Sequence, residues 1–400
     1  SIMPHTDSSA ADTRSMSAAW WAVISLALGA FGLVTAEFLP ISLLTPMAAD
    51  LGVSNGAVGQ AITATAVVAA FAGPLVVLFS GRLDRQKIVW GLMGMLVFSC
   101  ILSAYASNIT VLLIARGLLG FALGSFWAMM AALALRLVPP DKVPRAISII
   151  MMGISLATIF AAPLGAYLGE LWGWQATFLA ASGIGVVALV IQMLTLPELP
   201  ATAAPGLASF KAALTRRAVV VGICTGLLVI SGHFAALTFI RPFLEEVPRL
   251  DVATVSLALL AFGVSGFFGN LAGGAVAARS PAWAVSSCSF LIAAVALTLI
   301  LFGTQADVAF VAIALWGFAF GAFPVSISIW NARAAADHAE SAGALLSSTF
   351  QVAIAAGAVL GGLIIDSLDS QAVIVYAATA AFAGAALMFI RGRAIERQHG

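Results

Sequence analysis

Long, uninterrupted apolar segments constrain this chain more than any other feature of its sequence. A membrane-spanning helix needs roughly 20 apolar residues, and about twelve segments are this long. Only α-helices and closed β-barrels satisfy their own backbone inside a bilayer, and barrel strands would alternate apolar and polar residues, which these segments do not. The sequence therefore predicts an all-α membrane protein with twelve transmembrane helices. The predicted spans are residues 18–44, 56–80, 88–106, 109–137, 143–168, 175–196, 218–240, 252–278, 282–302, 308–330, 341–365 and 371–390.

The composition agrees with this class and excludes others. Charged residues make up 9% of the 400 residues, whereas soluble domains carry about 25%. The net charge of +1 gives no indication of a nucleic-acid partner. The sequence also holds no zinc motif, phosphate-binding loop or catalytic triad, so we expect neither an enzyme nor a metal or other cofactor. An intramembrane enzyme or a receptor is the remote alternative.

The distribution of basic residues predicts the orientation of the chain. The N-terminus, the loops after even-numbered spans and the C-terminus together hold 15 of the 18 Lys and Arg residues. Because basic residues are retained on the cytoplasmic side, we expect both termini to be cytoplasmic.

A polar linker, residues 197–217, divides the spans into two sets of six. It separates a bundle at residues 18–196 from a bundle at residues 218–390. The polar segment 1–17 is predicted to be a disordered cytoplasmic N-terminus, and residues 391–400 a cytoplasmic tail.

The two halves repeat weakly. Gly120-Phe-Ala-Leu-Gly124 in span 4 matches Gly317-Phe-Ala-Phe-Gly321 in span 10 at a separation of 197 residues. At a separation of 196 residues, Glu37 falls opposite His233. Parallel six-helix repeats with a site between them are typical of transporters.

Three ionisable residues inside spans are candidates for proton coupling: Glu37, Arg116 and His233. A carboxylate inside a span costs about 2.5–3.5 kcal/mol on insertion scales and normally serves a function; the alternative is a carboxyl wetted at the helix end. Arg116 would pair with a carboxylate or an anionic group, or be a structural residue capped by backbone carbonyls. His233 would titrate near neutral pH, or be a neutral hydrogen-bonding residue. Glu37 and His233 would face each other at one depth.

Small residues and a proline are candidates for conformational change. Gly120 and Gly124 in span 4 allow a neighbouring helix to approach closely. Pro163 and Gly165 in span 5 would bend that helix and let it pack in two ways. Because Gly and Pro are common in membrane helices, packing alone is the alternative.

The loop after span 2 contains Asp84 and Arg85. Asp84 would hold one conformation by pairing with a basic residue or a helix end. The alternative is a solvated loop that only follows the charge rule.

Polar and aromatic residues inside spans are candidates for binding a flat substrate, although most aromatic residues in such helices face lipid or the core. The candidates are Phe126, Trp127, Phe234, Thr238, Asn270, Trp316, Phe320 and Gln351.

These motifs resemble those of the major facilitator superfamily and, within it, the twelve-helix drug:proton antiporters. Arg116-Gly-x-x-Gly120 is similar to the fourth-helix motif of that family. Ala162-Pro163-x-Gly165 is similar to its antiporter motif, with Ala in place of Gly. Asp84-Arg85 is similar to the core of its loop motif. The nucleoside efflux proteins of this family are similar over residues 20–393, especially in the stretches 37–47, 126–129, 136–140, 161–165, 168–170 and 240–242. Its sugar efflux proteins look similar in the first helix and around Arg241-Pro242.

The resemblance implies two six-helix bundles around a central cavity. It implies export by alternating access, in which a proton enters as the substrate leaves. The implied cargo is a purine ribonucleoside such as inosine, and a sugar or a hydrophobic drug is the alternative. It also implies a monomer in the bacterial inner membrane, driven by the proton gradient.

Overall fold

The computed structural model of the protein describes residues 8–79, 82–139, 142–200 and 207–399. Within these residues, twelve helices are long and apolar enough to cross a membrane, which confirms the predicted all-α, multi-pass architecture. In chain order, the helices are α1 (Ser8–Ser42), α2 (Leu44–Leu51), α3 (Asn55–Phe79), α4 (Arg85–Ala104), α5 (Ile109–Leu137), α6 (Val143–Trp172), α7 (Trp174–Thr195), α8 (Leu207–Leu214), α9 (Arg217–Thr238), α10 (Ile240–Glu246), α11 (Val252–Arg279), α12 (Pro281–Phe302), α13 (Ala306–Ala334), α14 (Ala339–Ser367), α15 (Ser370–Leu387) and α16 (Arg393–His399). Helices α2, α8, α10 and α16 are short, and the other twelve are spans 1 to 12.

The ends of the chain are more helical than the sequence predicts. Of the segment 1–17, residues 1–7 lie outside the described residues, and residues 8–17 belong to α1. The predicted tail 391–400 is helical as far as His399, through a π-helical turn at Met388–Gly392 and then α16. The physical reason is that a helix propagates at low cost once it is nucleated, so it continues beyond the apolar run that hydropathy detects.

Spans 1 and 7 are interrupted at equivalent positions. The chain passes from α1 to α2 at Leu43 and from α9 to α10 at Phe239, and these two residues are 196 apart. Pro46 and Pro242 have the same separation and lie four residues after Ser42 and Thr238, the last residues of α1 and α9. Proline has no backbone N–H, so it cannot bond the carbonyl four residues before it, and the helix is interrupted there.

Helix packing repeats between the halves as well. Gly120 in α5 lies so close to α3 that a Cβ atom at this position would meet the backbone of Thr65. A Cβ atom at Gly124 would likewise meet the backbone of Ala69. In the second half, Gly317 of α13 packs against Phe262 of α11. The contacts Gly120–Thr65 and Gly317–Phe262 are related by 197 residues on both sides. The halves therefore share a packing arrangement as well as a short motif.

Each half has its own buried apolar cluster. Phe126 and Trp174 lie in the cluster of the N-terminal half, and Phe243 and Trp330 in that of the C-terminal half. Large apolar side chains also cover much of the outer surface, and Leu194 is 80% exposed. Exposed apolar surface of this kind suits contact with lipid.

The linker and the tail pack on the C-terminal half. Ser209 of α8 lies 3.1 Å from Nδ1 of His338 and accepts a hydrogen bond from the hydroxyl of Ser341 at 2.7 Å. The Glu396 carboxylate of α16 accepts hydrogen bonds at the start of α12, from the Ser280 hydroxyl at 2.7 Å and the Ala282 N–H at 2.8 Å. Residues 201–206 of the linker lie outside the described residues.

Candidate transport site

Arg116 is completely enclosed, with 1% exposure, and its guanidinium binds backbone carbonyls. It donates to the carbonyl oxygens of Ala36 and Glu37 at 2.5 Å each and to that of Ala61 at 3.3 Å. The Ala36 carbonyl needs a partner because the residue four positions later is Pro40, which has no N–H. Arg116 thus satisfies a carbonyl in α1 that the helix cannot satisfy itself.

This arrangement differs from a direct ion pair with Glu37. Among the described residues, no ion pair joins the Glu37 carboxylate to a basic side chain. Arg116 instead contacts the backbone of Glu37, and the Glu37 side chain is 5% exposed. The alternative considered for Arg116, a buried guanidinium capped by carbonyls, is the geometry observed.

His233, in span 7, lies inside a cage of aromatic rings. The ring of Phe320 stacks on the imidazole at a centroid distance of 3.3 Å, and Phe234 and Phe262 complete the enclosure. The indole N–H of Trp316 donates a hydrogen bond of 2.9 Å to Nδ1 of His233. Because an indole nitrogen can only donate, Nδ1 carries no proton, and the imidazole is neutral with its proton on Nε2.

A ring pair joins spans 1 and 7 beside these ionisable residues. Phe38 stacks on Phe234 at a centroid distance of 5.7 Å and an interplanar angle of 17°. Phe38 follows Glu37 in the sequence, and Phe234 follows His233. The two candidate proton-binding residues therefore flank one contact between the two halves.

Some of the candidate substrate residues lie together and others do not. Phe234, Trp316 and Phe320 surround His233, as described above. Thr238 is on the same helix, and Gln351 is in α14. Among the described residues, neither the buried Thr238 hydroxyl nor the Oε1 atom of Gln351 has a hydrogen-bond partner.

The remaining substrate candidates lie elsewhere. Phe126 and Trp127 form an edge-to-face pair with a centroid distance of 5.5 Å in α5. Phe126 is fully buried in the core of its own half, and Trp127 is half-buried. Asn270 is on α11 and is exposed.

The Asp84-Arg85 motif of the loop after span 2 contacts the segment that follows α7. The Asp84 carboxylate accepts the backbone N–H of Gln86 at 2.9 Å, which caps α4. It also accepts the N–H of Leu199 at 2.8 Å, and the N–H of Arg85 donates to the Leu199 carbonyl at the same distance. The motif therefore ties the start of α4 to the segment after α7.

The antiporter-like motif lies against span 1. Pro163 is inside α6, which the structure describes as one helix from Val143 to Trp172. Gly165 faces Leu39 and the hydroxyl of Ser42 in α1, closely enough that a Cβ atom would touch both.

The profile of the Major Facilitator Superfamily matches residues 26–344 and, in a second match, residues 223–399. The chain belongs to the major facilitator superfamily. It is 40% identical to the purine ribonucleoside efflux pump NepI of Salmonella paratyphi B over 348 residues, which are 87% of this chain and 88% of that protein. The NepI protein of Escherichia coli O1:K1 / APEC is also 40% identical, over 349 residues with the same coverage.

Solved structures support the fold of this superfamily member. A bacterial homolog of the human lysosomal transporter Spinster, in an inward-facing and unoccupied conformation, matches with a TM-score of 0.73 at 16% identity. That match covers 93% of this chain and 95% of the other. The human organic anion transporter MFSD10 matches with a TM-score of 0.66 at 16% identity, covering 92% of this chain and 99% of the other.

Membership of the major facilitator superfamily settles the class of protein. The chain is a multi-pass membrane transporter of small molecules and not an enzyme. The candidate site of this transporter lies at a contact between its two halves.

Sequence reasoning missed two features of this transporter. Phe38 was not among the candidates, although it lies next to Glu37 and opposite Phe234. Arg241 was noted only in a stretch that resembles efflux proteins, yet it bonds the Ser42 carbonyl of the other half. The available signal was the proline spacing, because Pro46 predicts an unpaired carbonyl at Ser42.

Proposed function

We propose that this transporter exports purine ribonucleosides, such as inosine, in exchange for protons. It would act as a monomer in the bacterial inner membrane, with both termini in the cytoplasm. The observation that carries the proposal is the pair Glu37 and His233, which are buried on opposite halves and flank the Phe38–Phe234 contact. A proton bound at this contact would change how the two halves meet.

Proton coupling is supported by the placement of Glu37. A carboxylate enclosed in a membrane span is costly unless it serves a function. Glu37 has no ion-pair partner among the described residues, so it is available to bind and release a proton. Arg116 fixes the backbone of Glu37 and supplies a fixed positive charge nearby.

A purine cargo is supported by the aromatic cage and by the relatives. Flat rings favour stacking with Phe and Trp side chains, and Phe234, Trp316 and Phe320 are grouped around His233. The side-chain oxygens of Thr238 and Gln351 have no partner in the part of the chain that the structure describes, and polar groups of a nucleoside would satisfy them. Two relatives that are 40% identical carry the name purine ribonucleoside efflux pump.

The order of steps in the transport cycle follows from the affinity of each access state for the proton. A proton drives a conformational change only if it binds the two states with different affinity. When the site is open to the periplasm, Glu37 would take up a proton as the nucleoside leaves. The neutral carboxyl would then favour the state open to the cytoplasm, where the proton leaves and a new nucleoside binds.

The test is inosine transport by the purified protein in liposomes with an imposed pH gradient. We expect the gradient to drive inosine against its concentration difference in the wild type, and Glu37→Gln to abolish this uphill transport. Glu170→Gln, which changes an exposed carboxylate at the end of α6, is the matched control and should retain it. Uphill inosine transport by Glu37→Gln would remove Glu37 from the proposed role.

The same liposomes would distinguish the alternative cargo. Arabinose and a hydrophobic dye would be tested under the same gradient. Gradient-driven flux of either compound without inosine flux would leave the proton mechanism in place and replace the nucleoside with that cargo.

A further inference from the structure

Hydrogen bonds join the two halves at one end of the molecule, the end that carries the loops after odd-numbered spans. Four hydrogen bonds between described residues join the halves, and all four lie toward this end. They form two groups, one between spans 1 and 7 and the other between spans 2 and 11.

The first group depends on the break in span 1. Pro46 has no N–H, so the carbonyl of Ser42 lacks its helical partner. The guanidinium of Arg241, in α10, donates to that carbonyl from the other half. Arg241 is 5% exposed, and its Nε atom also donates to the Glu245 carboxylate at 2.6 Å. A buried, charge-assisted hydrogen bond of this kind is among the stronger ones.

The second group depends on the start of span 2. The Asp366 carboxylate, near the end of α14, accepts the Ser54 hydroxyl at 2.8 Å and the backbone N–H of Gly56 at 3.2 Å. The first N–H groups of a helix have no partner within the helix, and a carboxylate is favoured there. One turn further on, the Gln60 amide donates to the Ala358 carbonyl of α14 at 3.1 Å.

We propose that Arg241, Asp366 and their partners Ser42, Ser54 and Gly56 form a latch that holds the odd-loop end closed. Every bond of the latch crosses between the halves, so opening this end must break them together. The backbone groups that the latch satisfies would then face water. The latch therefore sets the balance between the two access states, whatever the cargo and whether or not protons drive transport.

The test measures distances between spin labels at both ends of the full-length protein in lipid nanodiscs. The three native cysteines are replaced by alanine. One pair of labels at exposed positions, Ala49 and Gln371, reports on the odd-loop end. A second pair, Leu83 and Ala278, reports on the opposite end.

Latch variants should open the odd-loop end. We expect Arg241→Gln to raise the ratio of long to short Ala49–Gln371 distances by at least about tenfold, since a hydrogen bond to a charged group is worth about 1.5–3 kcal/mol. Asp366→Ala should raise the ratio about threefold, because its bond with Ser54 is exposed and its bond with Gly56 is only partly buried, so water competes for them. In both variants, the Leu83–Ala278 distances should shorten.

Matched controls come from the same surface. Asp369→Ala removes a neighbouring carboxylate that caps α15 within its own half, and Arg249→Gln removes an exposed charge from an odd loop. Neither should change the distances. The proposal is overturned if Arg241→Gln and Asp366→Ala give the wild-type distances. It is also overturned if the Ala49–Gln371 distances lengthen while the Leu83–Ala278 distances stay unchanged. Gly56→Ala gives an independent check, because its Cβ would displace the Asp366 carboxylate without removing any charge.

Discussion

The indole N–H of Trp316 donates a hydrogen bond of 2.9 Å to Nδ1 of His233. Trp316 is 3% exposed, so water cannot replace this donor. Protonation of His233 at Nδ1 would place two N–H groups against each other. As long as this bond exists, His233 therefore acts as a neutral donor through Nε2, and its charge depends on the position of Trp316.

Replacing Trp316 by Phe tests this coupling. Trp316→Phe keeps an aromatic ring but removes the donor, so Nδ1 is free to take a proton. We expect transport to fall about fivefold through loss of a hydrogen bond worth about 1 kcal/mol. The loss should deepen as the pH falls, because the freed Nδ1 can then take up a proton.

The double variant Trp316→Phe/His233→Gln provides the control for this pH profile. Gln retains a donor but cannot become charged, so the deeper loss at acid pH should disappear. If Trp316→Phe alone has the same pH profile as the wild type, Trp316 does not control the charge of His233.

The effects of substituting Arg116 and Pro40 on the free energy of unfolding should depend on each other. Arg116→Gln leaves the Ala36 carbonyl without its partner, and we expect the free energy of unfolding to fall by about 1–3 kcal/mol. Pro40→Ala restores a backbone N–H that can bond the same carbonyl. In the Pro40→Ala background, Arg116→Gln should therefore cost less than in the wild type.

Thermal unfolding in detergent, arranged as a double-mutant cycle, measures this coupling. Arg279→Gln, at an exposed arginine at the end of α11, is the control and should be independent of Pro40. Additive costs for Arg116→Gln and Pro40→Ala would contradict the assignment.

The glycines of span 4 should differ in how well they tolerate replacement by alanine, and the sequence alone does not reveal this difference. A Cβ atom at Gly124 would meet the backbone of Ala69, so we expect Gly124→Ala to destabilise the protein by about 1–3 kcal/mol. At Gly117, the nearest atom would be Cγ2 of Val68 at 3.6 Å, which is an ordinary contact. Gly117→Ala should therefore be neutral or stabilise by up to about 1 kcal/mol. Melting temperatures of the two variants, compared with the wild type, test the difference.

The sequence predicts the spans well because hydropathy reports directly on what can lie in a bilayer. It also predicts the two halves, since the motif at Gly120 recurs at Gly317 with the same packing. The break at Leu43 was not predicted, because it lies inside an apolar run and only Pro46 marks it.

The partners of the buried charges were harder to predict. Arg116 was expected to meet either a carboxylate or carbonyls, and the choice depends on how α5 faces Pro40, which no spacing within span 4 reveals. Arg241 and Asp366 each bond residues of the other half. Such contacts arise only when the two bundles assemble, so a reading of single helices cannot detect them.

Thr238 offers a test that separates structure from transport. Its hydroxyl is fully buried at the end of α9 and has no partner among the described residues. Thr225, on the same helix, is also fully buried, and no described residue pairs with its hydroxyl. Because an unpaired buried hydroxyl costs free energy, replacing either residue by Val should leave stability unchanged or raise it by about 1 kcal/mol.

The two variants should differ in transport. Thr238 lies five residues beyond His233, next to the candidate site, whereas Thr225 lies about two turns before it. If the Thr238 hydroxyl binds the cargo, Thr238→Val should raise the KM for inosine about fivefold, corresponding to one hydrogen bond, while Thr225→Val keeps the wild-type KM. Equal KM values in the two variants, both correctly folded, would mean that Thr238 does not contact the cargo.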